Sequence, residues 1–296
     1  MPARWGETHR SPPRSTAQRL GSTVRNVTIG TAIIPGCPGQ EGTTLQLASP
    51  ASPDPTVRDA ATAIRDALRV IGQGPAITVL LPSGRQEQGM ASLAQWAAKG
   101  AHLIEADLLL EPRDRLALDA PLSWSSAAVC LAAWWAGVAV VLVGDDPTDD
   151  LDSVEVAVIH EDRITERRVP GDVLALGDAI DGAPQGDPSA EPWVRAVQAF
   201  PDHPPTPQAA PDLPALIAGG RTWTHADLLD AARSLPAGTL GVDAAIVAPW
   251  LGLIAAAVHP LVSGRPTVVL RDVDRADAAG DRVAHWLEDG PDASTA

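Results

Sequence analysis

Ala60, Ile64, Leu68 and Ile71 recur at helical spacing, which predicts a helix with one apolar side, and Gly72–Gly74 ends it before a strand at Ile77–Leu81. A turn at Pro82–Gly84 leads into a second helix, in which Leu93, Trp96, Ala97, His102-Leu103 and Leu109-Leu110 keep a rough apolar face. Arg115–Leu118 reads as a short strand. Ala127–Val143 then runs for 17 residues without a charge. It lacks basic flanks, carries Gly137 inside, and passes from an Ala/Trp-rich half to a Val-rich half. That pattern predicts a buried helix, a turn and a buried strand, and not a membrane span.

The pattern repeats. Pro121, Trp124, an apolar helix, Gly137, the strand Val138–Val143 and Asp145 are echoed by Pro249, Trp250, an apolar helix, Gly264, the strand Thr267–Leu270 and Asp272. Gly to Asp is eight residues in both. Upstream, Pro75-Ala76-Ile77 and Pro214-Ala215-Leu216 each precede a turn containing Gly-Arg and then a helix. Strands alternating with helices predict an α/β fold with two similar sub-sheets, each mostly parallel and flanked by helices. The segments expected are an irregular stretch over 1–55, a first α/β sub-domain over 56–180, a Pro-rich connection over 181–212, a second sub-domain over 213–290 and a tail over 291–296.

Composition narrows the function classes. The net charge is −15, and it is uneven: residues 1–50 carry five Arg against two Glu, the rest 17 basic against 35 acidic residues. A chain this acidic is poorly suited to nucleic acid, whose binding draws on Lys and Arg to displace counterions. Lys99 is the single lysine in the chain. Cys37 and Cys130 have no neighbour at metal-ligand or redox spacing, which points to a reducing compartment. The first 30 residues hold no apolar run long enough for a signal peptide, so a cytoplasmic location is expected.

The stretches Leu213–Leu235, Ala245–Trp250 and Leu261–Asp272 resemble the second sub-sheet of adenylate-forming (AMP-binding) enzymes. Residues 113–146, with Trp134-Trp135-Ala136-Gly137 and Asp145-Asp146, resemble the matching part of the first. More narrowly, residues 56–290 are similar to a small family of high-GC bacteria distantly related to those enzymes. The resemblance implies a loop of the kind Ser/Thr-Gly-Thr-Thr-Gly-x-Pro-Lys-Gly for the phosphates of ATP, with Mg²⁺ as the accompanying ion. This sequence reads Leu216-Ile217-Ala218-Gly219-Gly220-Arg221-Thr222-Trp223-Thr224-His225 at that place. The family's later motifs and mobile C-terminal domain would follow residue 290, so the resemblance implies a truncated relative.

Gly219, Gly220, Arg221, Thr222, Thr224 and His225 are therefore the candidate anion- or nucleotide-binding residues, since a turn opening a helix favours negative charge. The competing reading makes the turn hairpin-like, with Thr224 as helix cap and Asp227 in the capping-box position. Asp145, Asp146, Asp149, Asp150 and Asp152 read as a solvated acidic turn and not a cation loop. His225 and His259 read as core or capping residues, and Trp96, Trp134 and Trp135 as core. The expected function is ligand or protein-partner binding without adenylation, with no cofactor. The alternatives are an ATP-dependent adenylating enzyme completed by a partner domain, and a scaffold.

Overall fold

Asp59 opens the first helix, α1 (Ala60–Ile71), by accepting the Thr62 amide at 2.8 Å. Ala60, Ile64 and Ala67 are buried, whereas Leu68 lies at the edge of the stripe and is 39% exposed. Strand β1 (Pro75–Leu81) is buried after its first residue. The expected turn at Pro82–Gly84 leads not to a helix but to strand β2 (Gly84–Gly89), antiparallel to β1. Its sequence, GRQEQG, has no apolar alternation because β2 is an edge strand held by backbone pairing.

Helix α2 (Met90–Ala106), strand β3 (Arg115–Asp119), helix α3 (Trp124–Trp135) and strand β4 (Ala139–Leu142) follow. All 12 residues of α3 are buried, as expected of a helix that is apolar all round. Ser123 and Ser126 satisfy its N-terminus reciprocally. Gly137, at φ 74°, turns the chain out of the helix, and Gly264, at φ 68°, does the same in the second half. Among the described residues, no helix is long and apolar enough to cross a membrane. The computed structural model describes residues 52–144, 151, 154–186 and 189–288, all within one unit, Ala48–Ala296. Most of the irregular stretch expected over 1–55, the five acidic positions between Asp145 and Asp152, and the tail over 291–296 lie outside the described residues.

Strands β5 (Val156–His160) and β6 (Asp172–Leu176) are separated by a 3₁₀ turn, Glu161–Glu166. Within the expected connection over 181–212 the chain forms β7 (Glu191–Pro192) and helix α4 (Trp193–Ala196). Trp193 is 1% exposed, so a Pro-rich composition did not exclude a core anchor. The second half runs β8 (Pro214–Ala218), β9 (Arg221–Thr224), α5 (His225–Ser234) and β10 (Leu240–Asp243). Helix α6 (Pro249–Leu253) continues through a π-helical stretch, Ile254–Val258, into α7 (His259–Ser263), followed by β11 (Thr267–Leu270) and β12 (His285–Trp286).

The strand orders show how the two halves fit. One sheet runs β12-β10-β11-β1-β2, the other β7-β6-β5-β3-β4-β8-β9. Each half sends its opening hairpin into the other half's sheet: β1 pairs in parallel with β11, and β8 in parallel with β4. The order β12-β10-β11-β1-β2 is matched, element for element, by β5-β3-β4-β8-β9. The two sheets are thus similar and related by reciprocal hairpin exchange, and each draws strands from both 56–180 and 213–290. Helix α3 lies between them, touching β1 of one and β4 of the other. At the crossing of α2 and α3 a side chain on Gly100 would stand 2.7 Å from Ala132 Cβ, which is why that position is glycine.

Candidate functional site

The C-terminal ends of parallel strands are where open α/β sheets bind ligands, because the strands stop there while the loops diverge. Here β3, β4 and β10 end around two adjoining cavities of about 230 and 560 Å³, which share Leu142, Val143, Gly144 and Pro249. The smaller one is lined from both sheets, by Leu118 and Leu142 on one side and Val242 and Ala244 on the other. Gly252 of α6 forms part of its wall, just before the π-helical stretch. Its lining is apolar apart from Ser126, which is held in the α3 cap, and Arg163.

Asp119, at the end of β3, is 1% exposed. A carboxylate so placed needs cationic partners. Arg163 Nη1 donates to its Oδ1 at 2.7 Å, and Arg167 Nε donates to its Oδ2 at 2.6 Å. Arg167 also donates to the Gly144 carbonyl at 2.7 Å, which ties the end of β4 into the same network. No local motif marks this cluster, because 44 and 48 residues separate Asp119 from its arginines. The available signal was an acidic residue closing a buried strand.

The six candidate anion-binding residues do not converge on one point. Gly219 and Gly220, at φ 55° and 74°, form a two-residue hairpin turn between the paired Ala218 and Arg221. Both line the larger cavity, with open space where their side chains would be. Arg221 and Thr222 are exposed, and the Arg221 guanidinium lies 4.7 Å from the centre of the Trp223 ring. Trp223 in turn stacks on Trp250, which lines that cavity. Thr224 caps α5: its Oγ1 accepts the Asp227 amide at 3.2 Å, and Asp227 accepts the Thr224 amide at 3.0 Å. The Thr224 amide and hydroxyl both donate to the Asp227 carboxylate and lower its pKa.

His225 is fully buried, and its Nδ1 accepts the Ala60 amide at the start of α1, 3.4 Å away. Lys99 is bound to Asp202 at 2.5 Å and to the Phe200 carbonyl at 2.8 Å, and lines neither cavity. Among the described residues no group of three or more His, Cys, Asp or Glu is placed to hold a metal.

Burial lowers the pKa of His225, against the opposing charge of Asp59, and that of His259, each to about 4. An ordinary histidine titrates near 6.5. Between those values the unfolded chain binds protons that the folded chain does not, so stability is full above pH 6.5 and falls as pH drops toward 4. The expected loss is on the order of 3 kcal/mol per histidine. Urea unfolding at pH 7 and pH 4.5 measures it, and the double variant His225→Gln/His259→Gln should show a flatter profile.

No family model matches the chain. A TIGR03089 family protein of Mycobacterium tuberculosis is 33% identical over 159 residues, which cover 48% of this chain and 63% of that protein. The N-terminal domain of FACL13 from M. tuberculosis superposes with a TM-score of 0.60 at 15% identity, over 78% of this chain and 62% of that one. An acyl-CoA synthetase of Brucella canis gives 0.61 at 17% identity, over 77% and 46%. The chain therefore spans less than two thirds of the length of each. With its two parallel-rich sheets flanked by helices, it has the fold of the N-terminal domain of adenylate-forming enzymes.

Proposed function

We propose that this chain binds a small apolar molecule, or the apolar end of a larger one, in the cleft between its sheets, without activating it by adenylation. The observation that carries the reading is a largely apolar 230 Å³ cavity adjoining the larger one whose wall holds the two-residue Gly219–Gly220 turn, where the sequence resemblance would put a phosphate loop. An apolar cavity of about 150 Å³ holds benzene. This one accommodates a single-ring aryl group or a short branched acyl group. The turn offers two glycine amides and no lysine, too little to cradle a triphosphate. A reducing cytoplasm suits Cys130, which is buried and unpaired.

Gly252 provides the test. A side chain there would enter the cavity toward Leu122 Cδ2, 3.1 Å away, and a non-glycine residue suits a helix. Gly252→Leu is therefore expected to fold and to lose binding. The assay is thermal unfolding with millimolar benzoate, butyrate and hexanoate. A ligand at a hundred times its Kd adds about 2.7 kcal/mol, which is about 5–10 °C for a domain of this size. Shifts that persist unchanged in Gly252→Leu would place binding elsewhere.

A further inference from the structure

The walls of the cleft belong to different sheets, so its width depends on what fixes one sheet against the other. Beneath the cleft the fixing is apolar, through α3 and the π-helical stretch. At the strand ends it is polar. Arg271, one residue past β11, grips Asp178, two residues past β6, with two parallel bonds: Nη1 to Oδ1 at 2.5 Å and Nη2 to Oδ2 at 2.9 Å. Gln86 of β2 donates to the Asp178 carbonyl at 2.9 Å. The three residues thus join β6 of one sheet to β11 and β2 of the other.

The pair is well shielded, the Arg271 side chain being 10% exposed and that of Asp178 27%. Shielded, bidentate geometry gives a guanidinium–carboxylate pair both strength and direction. His160, at the end of β5, adds a third group: its buried Nε2 lies 3.6 Å from Asp178 Oδ2 and has no hydrogen bond. Burial alone would raise the Asp178 pKa, but His160 and Arg271 outweigh it and hold the carboxyl well below the usual range.

We propose that Asp178, Arg271 and Gln86 form a clamp across the two sheets that sets the aperture of the cleft. Releasing it lets the strand ends separate while the apolar packing below stays intact. The consequence for ligand entry rests on the cleft being a binding site, but the clamp itself is measured without ligand.

The test is amide hydrogen exchange on the full chain and on Arg271→Met, Arg271→Lys and Gln86→Leu. Arg271→Met is expected to speed exchange at least tenfold at Leu118–Leu122 and Ala244–Leu253, with β1 and β11 keeping their protection. Arg271→Lys, which keeps the charge but loses the second bond, should fall between. Gln86→Leu should give a smaller change in the same segments. Uniform acceleration along the whole chain would mean the pair only stabilises the fold and would overturn the clamp, as would unchanged exchange at the cleft. Should Arg271→Met not fold, the lysine and Gln86 variants give the same discrimination.

Discussion

Produced separately, residues 52–186 and 189–288 are expected to stay largely unfolded, and to gain native-like structure when mixed. The reason is the exchange of hairpins. Without the second half, β1 and β2 lose β11, the five-stranded sheet loses its centre, and α3 exposes the surface it presents to the π-helical stretch. Without the first half, β8 and β9 lose β4, and β11 loses β1. Each fragment would leave strand edges unpaired and apolar faces in water. Circular dichroism of each fragment and of the mixture, with sedimentation to detect a one-to-one complex, measures the effect. A first fragment that folds alone with native protection would contradict the exchanged topology.

Asp119→Asn is expected to cost about 3–5 kcal/mol, the usual range for breaking a buried ion pair from one side. Arg167 is 5% exposed on its side chain and keeps its bond to the Gly144 carbonyl, so its guanidinium stays buried after the Asp119 charge is lost. Arg163 is 37% exposed, so water screens its loss of the Asp119 charge. The loss is therefore expected to come mainly through Arg167. Arg167→Met should recover part of it in the double variant, because it removes a buried guanidinium that no longer meets the Asp119 carboxylate. Urea midpoints of the four proteins in this cycle measure the coupling. Simple additivity of the two single effects would mean that the pair is not coupled and that the network does not hold the end of β4.

Much of the fold was legible because burial writes itself into sequence. The wholly apolar run at Ala127–Val143 forms α3, a glycine turn and β4, and the matching run in the second half forms α6, α7 and β11. The edge strands were not legible. GRQEQG and RTWT form β2 and β9 through backbone pairing at a sheet margin, each burying one residue, Gln86 and Trp223, which is too little for an apolar alternation to show. The exchange of hairpins was hidden for a different reason: which strand pairs with which is a non-local choice, and both halves present the same local pattern. At the site, Gly219 and Gly220 were legible as a turn, and the structure places them on the larger cavity. His225 is adjacent in sequence to the Thr224 cap but caps α1 from inside the core, a contact made across 165 residues. The Asp119 network is likewise a product of tertiary folding.

Which ligand the cleft takes is decided by calorimetric binding of benzoate and of Mg²⁺–ATP to the full chain, to Gly252→Leu and to Arg221→Ala. The prediction is saturable benzoate binding that is lost in Gly252→Leu and kept in Arg221→Ala, with no heat from Mg²⁺–ATP. Saturable Mg²⁺–ATP binding that disappears in Arg221→Ala would contradict an apolar ligand site without adenylation and give the Gly219–Arg221 turn the role of a phosphate loop.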